Sequence, residues 1–320
     1  MSGRAAVTRR TVLVGAAGLA GAAVAALAGC TATPTQRIAL ACGERGGTYL
    51  LFGELLRDAM TRRGLATLTA RETDGSVDNL RLLADRDVDL ALTLADAVAG
   101  AGADIVAIGR VYQNSLQCVV RADSPIFGLA DLAGRRVSTG AAGSGATISA
   151  TRVLEAAGLL PFDGAVPAHP VETVTRHLPD ALSDLSSGAV DALFWSGGVP
   201  NPKIAEASRD GAVRLIPLSD ALPAVSRRFP DTYFPVAIPS GIYDAARPVD
   251  TLGVANLLVA RRELDDALVA GLVDLLIEDA ANLVPVGSAS VQFLTASSLI
   301  DTAPLPLHPA ATRRYRERYG

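Results

Sequence analysis

Residues 135–158 read RRVSTGAAGSGATISATRVLEAAG, and this stretch decides the fold. It opens as a strand, RRVSTG over 135–140. A turn of small residues follows, ending in Gly143-Ser144-Gly145. A helical pattern then runs over about 146–157 and stops at Gly158, a residue that accepts the left-handed conformation past a helix end. Residues 37–64 use the same grammar. RIALAC over 37–42 is a strand, Gly46-Gly47 is the turn, and a helix over 49–62 carries Phe52, Leu55, Leu56, Ala59 and Met60 on one face. Gly64 ends it.

Working outward, the pattern predicts strands over 67–73, 88–94, 104–111, 116–121, 190–195 and 252–260. Helices are expected over 76–85, 179–187, about 263–282 and 288–299, with a short basic helix over 309–319. Strand and helix in alternation imply a mainly parallel sheet with helices on both faces. Two strand starts echo each other, Val88-Asp89-Leu90 and Val190-Asp191-Ala192. From Gly loop to Asp is 42 residues in the first case (Gly47 to Asp89) and 46 in the second (Gly145 to Asp191). Any α/β chain echoes itself to a degree, but this spacing supports two lobes of like architecture. Residues 37–121 plus 235–320 would form lobe 1, and 122–234 lobe 2. Ligands of such sheets bind beyond the carboxyl ends of the strands, so the two Gly loops would face one cleft from opposite sides.

Composition narrows the function. The chain has 320 residues, 49% apolar and 19% charged, with a net charge of −4. It can bury real cores and is too apolar to be disordered. It lacks the basic balance of a nucleic-acid binder. Three His and three Cys argue against a dense metal site or a disulfide scaffold. Lys203 is the only Lys. The charge is uneven: residues 1–29 hold Arg4, Arg9 and Arg10 and no acid, so the rest has 26 basic against 33 acidic residues, a balance of −7.

Residues 1–29 read as a signal peptide. Paired Arg9-Arg10 precede a weakly hydrophobic stretch of Ala, Gly, Val and Leu, the pattern of a twin-arginine export signal, with an ordinary secretory signal or a retained anchor helix as alternatives. Leu27-Ala28-Gly29-Cys30 reads as a bacterial lipobox, which would put a lipid on Cys30 and make 30–36 a tether. The mature chain would have 291 residues and sit outside the cytoplasm on a membrane. Cys42 and Cys118 are expected as buried free thiols, a disulfide being the alternative.

Gly143, Ser144 and Gly145 let backbone approach a ligand closely with a helix N-terminus behind it, which favours an anion. Thr147 adds a hydroxyl. Gly47, Thr48 and Tyr49 offer the same on the other lobe. Ser76 reads equally as a helix cap and as a ligand contact. Trp195 and Gly197 end a strand at the expected cleft. Enzyme readings fare poorly. Neither loop has the Lys of a phosphate-cradling motif, Ser144 is not in a G-x-S-x-G elbow, and neither His177 nor His308 is placed by sequence as its base.

Several ordered segments then resemble the TAXI family, the solute-binding proteins of tripartite ATP-independent periplasmic (TRAP) transporters. They are Gly46-Gly47-Thr48-Tyr49, Gly75-Ser76-Val77-Asp78-Asn79-Leu80, Leu129-Ala130-Asp131-Leu132, Gly143-Ser144-Gly145, Gly198-Val199-Pro200-Asn201-Pro202, Ile238-Pro239-Ser240-Gly241 and Leu305-Pro306-Leu307-His308-Pro309. The resemblance implies a two-lobed, type II-like periplasmic-binding fold. It implies a monomer without cofactor that closes on a small carboxylate or amino-acid-like solute and hands it to a TRAP permease. A sensor kinase is the alternative partner, and an exported enzyme the third reading. The chain departs from the family where Leu94, Ala95 and Ala146 replace usually polar residues, and where the first Gly loop reads Cys42-Gly43-Glu44-Arg45. Arg45 is a candidate counter-charge for a carboxylate, unless it simply pairs with Glu44 in solvent.

Overall fold

The carboxyl ends of two matching sets of strands meet at the middle of one mixed sheet. The computed structural model describes residues 36–99, 101–286, 288–289 and 294–320. The expected export signal and Cys30 lie outside the described residues. The first set is β1 (Arg37–Ala41), β2 (Thr67–Arg71) and β3 (Leu90–Leu94), with β1 parallel to both others. The second is β5 (Arg136–Ser138), β6 (Glu172–Val174) and β7 (Ala192–Gly197), with β5 parallel to both others.

Two long strands join the sets: β4 (Ile105–Arg121) and β10 (Val249–Arg261). β10 lies antiparallel to β3 and to β4, and β4 lies antiparallel to β7. β8 (Val213–Ile216) and β9 (Tyr233–Ile238) add antiparallel to β4 and β10. The sheet is therefore mixed, not mainly parallel. Chain that crosses between lobes must run back against the βαβ strands. The order is β2-β1-β3-β10-β4 in one lobe and β6-β5-β7-β4-β8 in the other, the same topology twice.

The echoed Asp residues show why. The Asp89 amide donates to the Ala39 carbonyl at 3.0 Å, and the Ala39 amide donates to Asp89 Oδ2 at 2.8 Å. The Asp191 amide donates to the Arg136 carbonyl at 2.7 Å, and the Arg136 amide donates to Asp191 Oδ2 at 3.0 Å. In each lobe one Asp thus staples the third strand to the first.

One strand replaces the two expected over 104–111 and 116–121. The polar run Gln113-Asn114-Ser115 interrupts the apolar pattern but not the backbone pairing, which continues from β10 to β7 through it. Alternation sets the faces. Ile38, Leu40 and Cys42 join one buried cluster, while Ala41 joins another that runs under both lobes and includes Leu83, Val137 and Val153. A third cluster under the second lobe holds Leu193 and Trp195.

Helices cover both faces. α1 (Thr48–Arg63) buries Phe52, Leu56, Ala59 and Met60 and ends on Gly64 at φ 62°. α2 (Ser76–Ala84) follows β2. In the second lobe, α3 (Gly145–Ala156), α4 (Leu178–Ser187), α5 (Pro202–Arg209) and α6 (Leu222–Arg228) follow in order. α7 (Asp266–Glu278) starts later than the expected 263 because Asp265 caps it, accepting from the Leu268 amide at 2.9 Å. Of the helix expected over 288–299, the described residues show only the turn Ala296–Leu299. The basic C-terminal helix, α8 (Pro309–Tyr319), docks on the first lobe. Arg314 grips Asp274 of α7 with two bonds of 2.8 and 2.7 Å, and the Tyr315 hydroxyl reaches the Ile108 carbonyl. Cys42 and Cys118 are buried and unpaired, and burial pushes the Cys42 thiol up to about 12.

Candidate functional site

Three helix N-termini meet at one small cavity between the lobes. Its volume is about 50 Å³, room for a few waters or for the head of a small solute. From the first lobe, Gly47, Thr48 and Tyr49 head α1, Ser76 heads α2, and Leu94 ends β3. From the second, Ser144 and Gly145 head α3, and Trp195 and Gly197 end β7. No side chain caps α1 or α2. The aligned helix dipoles make the cavity wall electropositive without any cationic side chain in its lining, and the first amides of α2, those of Val77 and Asp78, are taken by the Gly143 carbonyl.

Two residues expected at the site do not line the cavity. Gly143 turns its carbonyl to α2, accepting from the Val77 amide at 3.0 Å and the Asp78 amide at 3.2 Å. The Thr147 hydroxyl donates to the Ala141 carbonyl at 2.8 Å, and its amide donates to Ser144 Oγ. Thr147 holds the second Gly loop in shape, and Gly143 joins it to the other lobe. Ser76 is not a cap: Gly75 is the N-cap of α2, and Ser76 Oγ bonds the Tyr49 hydroxyl at 3.1 Å and accepts from the Leu94 amide at 3.1 Å. Its hydroxyl fixes three lining residues to one another. Burial holds the Tyr49 phenol well above its ordinary pKa, so it stays a neutral donor.

A buried polar hub shapes the first loop. Asn79 Nδ2 donates to the carbonyls of Cys42 and Leu92, and Asn79 Oδ1 accepts from the Thr73 hydroxyl. The second loop closes on itself through Ser144 Oγ, which donates to the Ala141 carbonyl at 2.8 Å. Among the described residues, that serine has no imidazole or carboxylate hydrogen-bonded to it. His308 instead caps α8, and His177 sits between Glu44 and Asp74.

The lobes are closed on the cavity. The Gly198 amide donates to Thr48 Oγ1 at 2.8 Å and the Leu178 amide to Glu44 Oε2 at 3.3 Å, both across the cleft. Deeper in, Asp96 Oδ2 accepts from Ser149 at 2.6 Å and from Tyr233 at 2.7 Å. The Trp195 ring lies against Gly47 of the opposite lobe, 3.7 Å from where a Cβ would stand. Trp195 is 8% exposed, and its indole N–H, a donor only, has no partner among the described residues.

Sequence reading missed Glu44, Asp74, Asn114 and Ser196 as lining residues. Asn114 and Ser196 share a 3.4 Å bond, and Asn256 donates to Asn114 at 2.9 Å. The Gln113-Asn114-Ser115 interruption was the available signal: polar residues in mid-strand mark where the strand passes the cleft. Glu44 was hidden by its neighbour. Arg45 does not face the cavity and does not pair with Glu44; it is 85% exposed and bonds Glu72 at 2.9 Å. Glu44 is the inward residue, and burial pushes its carboxyl above the usual range, against the pull of the Leu178 amide and the His177 ring.

The model of the NMT1-like family matches residues 40–318, which spans both strand sets and every loop at the cavity. The chain belongs to the NMT1-like family. A structure from Bordetella bronchiseptica RB50 shares 16% identity with this NMT1-like chain, over 89% of it and 98% of the other, at a TM-score of 0.53. The alkanesulfonate-binding protein SsuA of Xanthomonas axonopodis pv. citri, bound to MOPS, shares 17% over 89% and 85%, at a TM-score of 0.48. A histidine-bound ABC uptake transporter substrate binding protein of Streptococcus pneumoniae shares 14% over 75% and 85%, at 0.49. Likeness at these identities concerns the fold. This NMT1-like chain has the two-lobed periplasmic-binding architecture that its sheet order displays.

Proposed function

We propose that the chain is an exported solute-binding protein that closes on a small solute carrying an anionic group and presents it to a membrane transporter. One observation carries this: α1, α2 and α3 point their N-termini, from both lobes, at one cavity walled by Trp195. An anion there meets N–H groups from each lobe, so binding and closure are one event. The ordered TAXI-like segments support a TRAP-type permease as the partner. The Leu27–Cys30 lipobox supports a lipid anchor on the outer face of a membrane. Among the described residues no helix is long and apolar enough to cross a membrane.

The test is a thermal-shift screen of the purified protein against carboxylates, sulfonates, amino acids and neutral metabolites. A true ligand at a hundredfold excess over Kd adds about 2.7 kcal/mol and raises Tm. A screen in which no anionic solute shifts Tm would sink the reading. For the anchor, a Cys30→Ser chain should leave the membrane fraction for the soluble one. Equal partition of both chains would show that Cys30 carries no lipid.

A further inference from the structure

We propose that Asp96 is a proton-dependent latch between the lobes: the cleft closes when this carboxyl is neutral, and it parts and releases its solute when the carboxyl is charged. This deepens the proposed solute-binding role and rests on its closing cleft.

The place of Asp96 in the fold carries the argument. It follows β3 in the first lobe and is 2% exposed. Its partners stand on other elements. Ser149, on α3 of the second lobe, is 2.6 Å away, and Tyr233, on β9, is 2.7 Å away. Both are neutral hydroxyls and both bond the same oxygen, Oδ2. The other oxygen, Oδ1, is buried and has no hydrogen-bond partner among the described residues. The one cation whose charge acts on the carboxyl, Arg152, is turned to the Tyr233 hydroxyl at 3.4 Å and stacked 4.1 Å over the Phe229 ring.

A buried carboxylate needs an opposite charge in contact and donors on both oxygens. Asp96 has two donors on one oxygen and none on the other, so the closed arrangement suits the neutral carboxyl. Burial, the main cause, holds its pKa above the ordinary value. Opening takes Ser149 away with α3 and admits water, and a hydrated Asp ionises near its usual value of about 3.9. The closed form therefore holds the proton more tightly, and closure takes up a proton. The ratio of closed to open falls by up to about tenfold per pH unit as pH rises from about 4 toward the closed-state value.

The other titratable groups around Asp96 leave this sign unchanged. Burial raises the phenols of Tyr49, on α1, and Tyr233 well above their ordinary value, so both stay neutral. One turn beyond Arg152 on α3, Glu155 pairs with Arg228 of α6 at 3.8 Å.

Trp195 reads the latch without any solute. It is the only Trp in the chain, it ends a strand of the second lobe, and its ring lies against Gly47 of the first. Acrylamide quenching of its fluorescence is measured on the solute-free chain from about pH 4.5 to about pH 8. The wild-type quenching constant should rise about twofold or more across that range as the closed fraction falls. Asp96→Asn, whose amide cannot ionise, should keep the low value of the acid end throughout. His177, between Glu44 and Asp74 at the cleft, is the remaining titratable contact across the lobes, so H177Q should keep the wild-type profile. Ser149→Ala retains the carboxyl but removes its cross-lobe donor, and should quench more than wild type at the acid end. A flat wild-type profile, a D96N profile that follows the wild type, a profile lost in H177Q, or S149A quenching equal to wild type would each overturn the latch and leave the solute site standing. The wild-type, H177Q and S149A profiles decide the matter even where D96N fails to fold. The solute reading falls only with the thermal-shift screen, and the release role of Asp96 falls with it.

Discussion

Gly145→Ala should weaken solute binding by about ten- to a hundredfold while the lobes stay folded. A Cβ on Gly145 would lie 2.5 Å from Leu94 Cδ1, 3.0 Å from Leu94 Cγ and 2.7 Å from Ser76 Oγ. All three atoms belong to the opposite lobe. Leu94 is 1% exposed and Ser76 Oγ is held by two bonds, so neither yields cheaply. Overpacking of this kind costs about 1–3 kcal/mol, and here the cost falls on the closed state alone. Apparent affinity drops with the closed fraction. Titration of a ligand found in the screen reads the effect, with Tm of the ligand-free chain as the control for folding. Gly128→Ala is the silent comparison, because a Cβ there meets nothing within 4 Å. Unchanged affinity in G145A would mean that the solute binds an open form.

Asp96→Ala should cost about 2–4 kcal/mol of stability. Asp96 is 2% exposed, and its Oδ2 is the acceptor for both Ser149 and Tyr233, which come from the second lobe and from β9. Removing it strands two buried hydroxyls at once. Asp96→Asn is the sharper variant, since an amide oxygen can accept both bonds. Its effect depends on pH. Burial, opposed by the Ser149 and Tyr233 bonds and by Arg152, raises the Asp96 carboxyl above its ordinary range. The folded chain therefore keeps this proton at pH values where the unfolded chain, with an Asp pKa of about 3.9, has lost it. The stability this group contributes is complete below that pH and is lost as pH rises through the folded-state value. Asp96→Asn removes the loss. Subtracting the wild-type Tm profile from that of D96N should give a difference that grows from about pH 4 upward. A flat difference would contradict the assignment.

The same glycines show how far reading the chain alone carries. Gly143 and Gly145 stand out in it as a loop that lets a ligand approach. In the fold they also let the other lobe approach: a Cβ on Gly143 would lie 2.9 Å from Asp74 Cβ. Both meanings need a residue without a side chain, so sequence could not separate them. Ser76 reads as a cap because serine before a helix usually is one, yet its hydroxyl is taken by Tyr49 and Leu94. The split of β4 into two expected strands has the same origin. Periodicity reports which side chains are apolar, while the backbone ladder continues wherever polar ones find partners, as Asn114 does with Asn256.

The sequence by itself determined the repeated strand–Gly–helix unit, and with it the two lobes, the helix N-termini at their carboxyl edges and the place of Trp195. Those features rest on backbone preferences of neighbouring residues and on alternation within a strand, and such preferences act locally. Only the tertiary structure decided the charge of the cavity. Glu44 turns inward and Arg45 outward, and Leu178, 134 positions away, meets Glu44 across the cleft. Burial and Coulomb interactions depend on which distant residues come within a few ångströms of one another, and adjacent letters do not record that.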